Sequence, residues 1–205
     1  EQVEAEIHRF FEMMREIYSA LGLSTSVSYA VSTRPAAGTI GDPADWELAQ
    51  QQLISAVENA GFACAIKQGE AAFYGPKIEV DVRDTIGRAW TLGTLQMDMG
   101  MPGRFALRYI GRDGKEHQPA MLHRAVLGSL ERFIAIYLEH TAGDFPLWLS
   151  PVQAAVLPIT DRSLGYARKV EERLLQAGVR AMLDARTEKL GFKIRDAETH
   201  KVPLM

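Results

Sequence analysis

The sequence has a single cysteine, Cys64, among its 205 residues. One cysteine excludes a disulfide within the chain and fits a reducing compartment, so we expect a cytoplasmic protein. Cys64 lies in the apolar run 62–66, and this position predicts a buried and chemically inert thiol on a strand.

Long hydrophobic runs are also missing, because no segment reaches the roughly 20 consecutive apolar residues that a membrane-spanning helix needs. We therefore expect no membrane partner. The chain begins with the acidic segment Glu1-Gln2-Val3-Glu4 and has no initiator methionine. Such a start is not that of a signal peptide, and it predicts that the chain begins inside a longer protein.

A large excess of charge of one sign is also missing, since the net charge is only −3. This balance excludes a strong overall attraction to nucleic acid. The charge is uneven, however, with a net +3 over residues 150–205 against −6 over residues 1–149. A mildly basic C-terminal part is compatible with phosphate contacts, although an ordinary solvated surface explains the charge equally well.

Hydrophobic periodicity predicts an α+β architecture for residues 1–145, with helices flanking an antiparallel sheet. Apolar residues spaced by three and four indicate helices, and alternation indicates strands. The predicted elements are a helix over 3–21, a strand over 27–32, a helix capped by Asp42 and closed by Gly61, antiparallel strands within 62–110 (the last containing Phe105, Leu107 and Tyr109), and a long helix over 122–140.

A different pattern follows the proline-containing and glycine-containing linker 141–151. Strands are predicted over 152–159 and 179–183, helices over 161–177 and 188–197, and a third strand begins at Val202. This alternation indicates a partial α/β domain with parallel strands over residues 150–205.

Four residues carry candidate chemistry. The predicted helix 122–140 holds His123 near its start and Arg132 further along, with small residues between them where a ligand could approach. His123 could bind zinc, cap the helix or face water. Arg132 could clamp a phosphate or form a surface ion pair. Tyr74 and Lys77 flank a Gly-Pro bend, where they could contact an anionic ligand or belong to an ordinary loop.

Together these segments resemble the threonyl-tRNA synthetase family of class II aminoacyl-tRNA synthetases, over essentially the whole chain. The segments that carry the resemblance, in chain order, are Ser32-Thr33-Arg34-Pro35, Ala72-Phe73-Tyr74-Gly75-Pro76-Lys77-Ile78-Glu79, Met121-Leu122-His123-Arg124-Ala125, Gly128-Ser129-Leu130-Glu131-Arg132-Phe133, Trp148-Leu149-Ser150-Pro151-Val152-Gln153 and Glu188-Lys189-Leu190-Gly191-Phe192-Lys193-Ile194-Arg195.

The resemblance implies ATP-dependent formation of threonyl-adenylate and transfer of the threonyl group to the 3′ end of tRNA(Thr). Arg132 matches the motif 3 arginine that holds ATP with its Mg²⁺, and the resemblance implies that Arg132 and Lys77 are catalytic. Tyr74, Lys77 and Gln96 match residues that bind threonine and the terminal adenosine. His123 matches one of three zinc ligands, on a metal that reads the threonine hydroxyl and so rejects valine.

The resemblance also implies an RNA contact and an assembly. Arg195 matches a residue that touches the anticodon, and Thr187 stands beside it where many family members have Asn. Thr91 likewise stands where many have Gln. The implied partners are threonine, ATP and tRNA(Thr), and the complete enzyme is expected to be a homodimer.

The family's motifs 1 and 2, and the other two zinc ligands, would lie before Glu1. The chain is thus interpreted as the second half of a catalytic domain (1–145) and the start of an anticodon-binding domain (150–205), inactive by itself. Two alternatives stay open. One is a non-catalytic RNA-binding or regulatory module derived from a synthetase. The other is a related class II enzyme for proline, glycine or histidine.

Overall fold

A computed structural model describes residues 2–205, so Glu1 lies outside the described part of the two predicted domains. The chain divides into two compact units, Glu1–Ile136 and Tyr137–Met205. The predicted boundary between residues 145 and 150 stays a prediction. No helix within residues 2–205 combines the length and the apolar character needed to cross a membrane.

Two long helices cover the first unit, as the periodicity predicted. Helix α1, Gln2–Ala20, buries one apolar face. Helix α2, Pro43–Asn59, begins where the Asp42 side chain accepts a hydrogen bond from the Ala44 backbone N–H at 2.8 Å. Gly61 follows α2 with a φ of +83°, a conformation in which glycine avoids the strain of other residues.

The helices pack on a five-stranded sheet. Its strands are β1, Val27–Ser32; β2, Cys64–Lys67; β3, Lys77–Arg83; β4, Ala89–Asp98; and, further along the chain, β7, Met121–Ala125. The order across the sheet is β2-β1-β3-β4-β7. All neighbours are antiparallel except β1 and β2, so the expectation of a wholly antiparallel arrangement after residue 62 is wrong for β2.

The predicted burial of Cys64 is also wrong in part. Cys64 begins β2, which is an edge strand, and the residue is only half-buried. Burial still raises the pKa of its thiol, and this keeps the thiol protonated at neutral pH.

The strand predicted to contain Phe105, Leu107 and Tyr109 does not join the main sheet, and all three residues are exposed. A short helix, α3, Met101–Arg104, follows β4 instead. The Asp98 side chain caps it by accepting hydrogen bonds from nearby backbone N–H groups. A small hairpin of β5, Tyr109–Ile110, and β6, Glu116–His117, then precedes β7.

The long helix predicted over 122–140 is wrong in its first half. Residues up to Ala125 form β7, and helix α4 runs only from Leu130 to Thr141. Gly128 separates the two elements with a φ of +62°, where a Cβ atom would lie 2.9 Å from the Leu92 carbonyl oxygen. His123 is therefore on a strand and shares no helix with Arg132.

The second unit is α/β, as predicted. Strand β8, Ala154–Val156, leads through a single 3₁₀ turn into helix α5, Leu164–Gln176. Strand β9, Ala181–Leu183, pairs with β8 in parallel, and helix α6, Leu190–Thr199, follows it. A parallel bridge from Ala154 to Leu204 marks the start of the predicted third strand.

Candidate functional site

Three of the predicted site residues lie side by side on the sheet. Lys77 on β3 is paired with Gln96 on β4, and Gln96 is paired with His123 on β7. Directly opposed residues on neighbouring antiparallel strands share one face of the sheet. The opposite face carries Ile78, Val80 and Val82, which are fully buried. The site residues thus lie on the polar face, away from the apolar core.

Tyr74 joins this row through the loop before β3. Its hydroxyl donates a hydrogen bond to Gln96 Oε1 at 2.6 Å, and its ring lies edge-on to the imidazole of His123, with 6.2 Å between centroids. Gly75 holds the loop close to β4, since a Cβ atom there would lie 1.6 Å from the Met97 carbonyl oxygen. Only glycine allows this approach, so Gly75 determines where the Tyr74 hydroxyl lies.

A cleft of about 500 Å³ opens over these side chains. It is lined by Ile40, Phe73, Tyr74, Gln96, Asp98, Gly100, Met101, Arg104 and His123. Lys77 belongs to the same row of the sheet but does not line the cleft. The cleft joins an apolar rim to a few polar groups, which is the usual character of a small-molecule site.

Asp98 is a site residue that the sequence interpretation missed. Its Oδ2 lies 2.8 Å from His123 Nε2. The Asp98 side chain is 4% exposed, whereas that of His123 is 46% exposed. Burial raises the pKa of Asp98, but hydrogen bonds from Met101 N–H, His123 and Gly100 N–H outweigh burial and hold the pKa below its usual value. An ionised Asp98 accepts a hydrogen bond from Nε2–H and leaves Nδ1 of His123 as the lone-pair nitrogen.

This pairing suits one zinc ligand but not a complete zinc site. Histidines that bind metal usually donate their other ring N–H to a carboxylate or carbonyl, as His123 does to Asp98. Within residues 2–205, however, no three His, Cys, Asp or Glu side chains lie close enough together to hold a metal. A structural or catalytic zinc needs at least three protein ligands.

Lys77 is held by a carboxylate. Its Nζ lies 2.6 Å from Glu79 Oε1, and Glu79 also receives hydrogen bonds from Ser32 and Lys67. Burial raises the pKa of Glu79, but the hydrogen bonds from Lys67, Lys77 and Ser32 outweigh burial and lower it to about 2. The sequence hinted at this cluster, because Lys77, Glu79 and Asp81 alternate along one face of β3.

Arg132 lies at the other end of β4. Its Nη1 donates to the Thr91 carbonyl oxygen at 3.4 Å, and its guanidinium lies 5.8 Å from the centroid of the Trp90 ring. The side chain is exposed, so its guanidinium is accessible to an anionic ligand.

In the second unit, Thr187 lines a cavity of about 440 Å³ at the carboxyl ends of β8 and β9. Ligands of parallel sheets commonly bind at this edge. Arg186 shapes the loop, because its Nη2 lies 2.6 Å from carboxylate oxygens of both Asp184 and Asp196. Arg195 is exposed on α6 and does not line this cavity. The structure therefore places the two predicted RNA contacts near the same helix without bringing them into one cavity.

Comparison with known proteins identifies the class. The family model described as tRNA synthetase class II core domain (G, H, P, S and T) matches residues 1–141, and the model described as anticodon binding domain matches residues 153–205. The chain belongs to the class II aminoacyl-tRNA synthetase family.

The particular relatives are threonine–tRNA ligases, which confirms the resemblance found in the sequence. The ligase of Thermus thermophilus is 48% identical over 99% of this chain, and that of Caldanaerobacter subterraneus subsp. tengcongensis is 49% identical over 100%. The chain spans about a third of the length of these relatives, 31% in both cases.

Solved structures agree with the fold. The RNA binding domain of threonyl-tRNA synthetase from Cryptosporidium parvum superposes with a TM-score of 0.92 at 34% identity, over 100% of this chain and 52% of that one. Histidyl-tRNA synthetase from Staphylococcus aureus, at 19% identity and a TM-score of 0.53 over 98% of this chain and 54% of that one, shares the fold alone.

Proposed function

We propose that this chain is part of a threonine–tRNA ligase, which activates threonine with ATP and transfers it to the 3′ end of tRNA(Thr). The observation that carries the proposal is the cleft in which Tyr74, Gln96 and His123 meet, because it unites the predicted amino-acid-binding residues. The identity to threonine–tRNA ligases, which extends over essentially the whole of this chain, supports the same activity.

The polar face of the sheet suits the chemistry of adenylate formation. The Tyr74 hydroxyl and the Gln96 amide offer hydrogen bonds to a small polar substrate. Lys77 and Arg132 offer positive charge to the carboxylate of threonine and the phosphates of ATP, whose Mg²⁺ enters with the nucleotide. Fixed cations lower the energy of a transition state in which negative charge develops on phosphate oxygens.

His123 is proposed as one zinc ligand, with the remaining ligands supplied from outside this chain. Zinc bound there would act as a Lewis acid toward the amino and hydroxyl groups of threonine. What the described residues themselves do is orient the imidazole, through the Asp98 carboxylate. A site that demands a hydroxyl group discriminates against an analogue without one far better than an apolar pocket does.

The second unit is proposed to bind the anticodon of tRNA(Thr) through Thr187 and Arg195. The exposure of both residues and the net positive charge of residues 150–205 support this role. The family relationship supports a homodimer and a cytoplasmic location for the complete protein.

A chimaera tests the activity. Residues 2–205 replace the aligned third of the Thermus thermophilus ligase, and threonine-dependent exchange of pyrophosphate into ATP is measured. We expect exchange with threonine, little with valine, and none with proline, glycine or histidine. The 205-residue chain by itself should give no exchange. A folded chimaera that activates another amino acid better than threonine would contradict the proposal, and a folded chimaera that activates none would favour a non-catalytic module.

A further inference from the structure

One row of side chains crosses the entire sheet of the first unit. Lys67 on β2 is paired with Ser32 on β1, and Ser32 is paired with Lys77 on β3. The row then continues through Gln96 to His123. Lys67 thus stands at the outer end of the line that holds the predicted substrate-binding residues, although it lies outside the cleft itself.

Lys67 is the shared partner of two carboxylates on β3. Its Nζ contacts Glu79 Oε2 and lies 2.8 Å from Asp81 Oδ2. The side chains of Glu79 and Asp81 are 6% and 11% exposed, and that of Lys67 is 27% exposed. With Lys77 on the other oxygen of Glu79, two lysines balance two carboxylates, so the cluster is electrically neutral.

Each carboxylate of this cluster leads to a different one of the two cations that are proposed to bind the anionic groups of the substrates. Glu79 holds Lys77 directly. Asp81 accepts a hydrogen bond from the Thr91 hydroxyl at 2.5 Å, and the Thr91 carbonyl oxygen in turn accepts from Arg132 Nη1 at 3.4 Å. Lys67 therefore connects to Lys77 through Glu79, and to Arg132 through Asp81 and Thr91.

We propose that Lys67 is a positioning residue that keeps Lys77 and Arg132 available to the anionic groups of the substrates. This inference rests on the proposed function. Lys67 contacts both Glu79 and Asp81, so Lys77 can turn toward a ligand while Glu79 keeps Lys67 and Ser32 as donors. The ion pair between Lys67 and Asp81 also fixes the Asp81 carboxylate. This carboxylate holds the Thr91 hydroxyl, and the Thr91 carbonyl oxygen accepts the hydrogen bond from Arg132.

Removal of Lys67 would leave two adjacent carboxylates with a single lysine. Lys77 would then be held more tightly by both carboxylates, because unscreened negative charge in a poorly solvated position binds the nearest cation. The affinity for the anionic groups of ATP and threonine would fall. The geometry of the cleft around Tyr74 and His123 would stay the same.

Kinetics of the chimaera test this role. Lys67→Met should raise KM for ATP and for threonine by about tenfold, a loss within the range of couplings between residues of one salt-bridge network. The value of kcat should change much less, since Lys77 and Arg132 are still present and the binding that is lost is shared equally by the substrate and the transition state. Lys67→Arg should retain most of the affinity. Lys115→Met, at an exposed position of the same unit, is the matched control.

A double variant separates positioning from simple loss of stability. Lys67→Met combined with Asp81→Asn leaves one lysine and one carboxylate, so the charges of the cluster balance as they do in the parent. The Asn side chain can still accept the hydrogen bond from the Thr91 hydroxyl. We expect its KM values to return to within about threefold of the parent, as the coupling of residues in one charge network requires. The proposal is overturned if Lys67→Met has the same KM values as the control Lys115→Met. It is also overturned if the double variant folds but its KM values do not return toward those of the parent.

A measurement on the 205-residue chain keeps this inference separate from the proposed function. The pKa of Glu79 is followed by NMR of its carboxyl carbon. We expect Lys67→Met to raise this pKa and the added Asp81→Asn to bring it part of the way back. If the pKa of Glu79 is the same in Lys67→Met as in the parent chain, the inference is overturned even if the chimaera is active. An inactive chimaera in which Glu79 responds as expected contradicts the proposed function alone.

Discussion

At the scale of single residues, the candidate site depends on carboxylates that orient cations and an imidazole. Asp98 holds the exposed ring of His123, and Glu79 holds Lys77. In both pairs the carboxylate is buried and its partner is more exposed. A fixed acceptor below a reachable donor presents the donor to a ligand at little cost in side-chain entropy.

The pair of His123 and Asp98 gives the first prediction. In the chimaera, His123→Ala should lose zinc and threonine activation together, because one of the three proposed protein ligands is gone. Asp98→Asn should weaken both by roughly 10–100-fold, since the ring loses its charged partner. Zinc is measured by metal analysis and activation by pyrophosphate exchange.

The chain contains a matched control for this pair. His117 Nε2 lies 2.9 Å from Asp113 Oδ1 on the β5–β6 hairpin, where both side chains are exposed. His117→Ala and Asp113→Asn should leave zinc and exchange unchanged. Stoichiometric zinc in the His123→Ala chimaera would rule out the ligand assignment.

The second prediction concerns acid stability. Glu79 has a pKa of about 2 in the folded chain against a usual value of 4.5. A lowered pKa stabilises the fold above the usual value, and this stabilisation is lost as the pH falls from about 4.5 toward 2. The loss is at most about 3 kcal/mol. Unfolding by urea at a series of pH values measures it.

Glu79→Gln isolates this contribution. Burial raises the pKa of Asp84, but hydrogen bonds from Trp90 and Arg88 outweigh burial and bring it to about 2, so Asp84 titrates in the same window. The difference between the parent chain and Glu79→Gln cancels the Asp84 contribution. If both chains lose the same stability between pH 5 and pH 2, the pairing of Glu79 with its lysines contributes nothing.

At the scale of elements, β4 organises the first unit. It pairs with β3 on one side and β7 on the other, and it carries Thr91, Gln96 and Asp98 on the polar face. The loop before β3 approaches β4 so closely that its glycine is indispensable. Met97 N–H donates to the Pro76 carbonyl oxygen, and Met99 N–H donates to that of Tyr74. The position of the Tyr74 ring therefore follows from backbone contacts with β4.

The third prediction tests this approach. Gly75→Ala would place a Cβ atom 1.6 Å from the Met97 carbonyl oxygen, so the loop must move away from β4. We expect a loss of about 1–3 kcal/mol in the free energy of unfolding, as for other overpacked positions. The hydrogen bond from Tyr74 to Gln96 should break, and KM for threonine in the chimaera should rise.

Gly165→Ala is the control, because a Cβ atom there meets nothing within 4 Å and Gly165 lies in helix α5. It should leave stability unchanged or raise it by up to about 1 kcal/mol. Urea unfolding compares the two variants. Equal stability of Gly75→Ala and the parent chain would show that the loop is not held against β4.

At the scale of the whole molecule, the two units carry different tasks on the proposed function. The first unit holds the substrate-facing row, and the second holds the surface proposed for tRNA. Mutations in the first unit should therefore impair adenylate formation, and mutations in the second unit should impair the use of tRNA.

The fourth prediction compares one arginine from each unit. In the chimaera, Arg132→Ala should depress adenylate formation by on the order of 10²–10³, because a cation at the reacting phosphates is lost. Arg195→Ala should leave adenylate formation intact and weaken tRNA use by roughly 1–3 kcal/mol if it contacts a base edge. Pyrophosphate exchange and tRNA aminoacylation are measured for each.

Exposed Arg168 on α5 serves as the control for the second unit, and Arg168→Ala should behave like the parent in both assays. Comparable damage to pyrophosphate exchange by Arg195→Ala and Arg132→Ala would contradict the assignment of the two arginines to separate tasks.

Much of the local structure could be predicted from the sequence. The apolar spacing along residues 3–21, the cap at Asp42 and the alternation along β3 each depend on neighbours within one or two turns. Such signals act before the chain is folded, so they survive in the folded state. The resemblance added Tyr74, Lys77, Gln96, His123 and Arg132 as site candidates, and their roles stay predictions.

The sequence misled where a segment's structure depends on distant partners. The sequence pattern predicts that the helix over 122–140 includes residues 122–125, but these residues form a strand because β4 pairs with them. The break at Gly128 is set by its close approach to Leu92. No local signal distinguishes that strand from the first turns of the helix that follows.

By itself, the sequence determined the family, the α+β and α/β character of the two parts and most helix positions, because these follow from local periodicity and from shared motifs. Only the tertiary structure decided which side chains meet. The pairs Asp98–His123 and Lys67–Glu79 join residues on different strands, and their contact depends on strand order and register. Register is set by burying the apolar face of the whole sheet, and this places every polar partner on the opposite face.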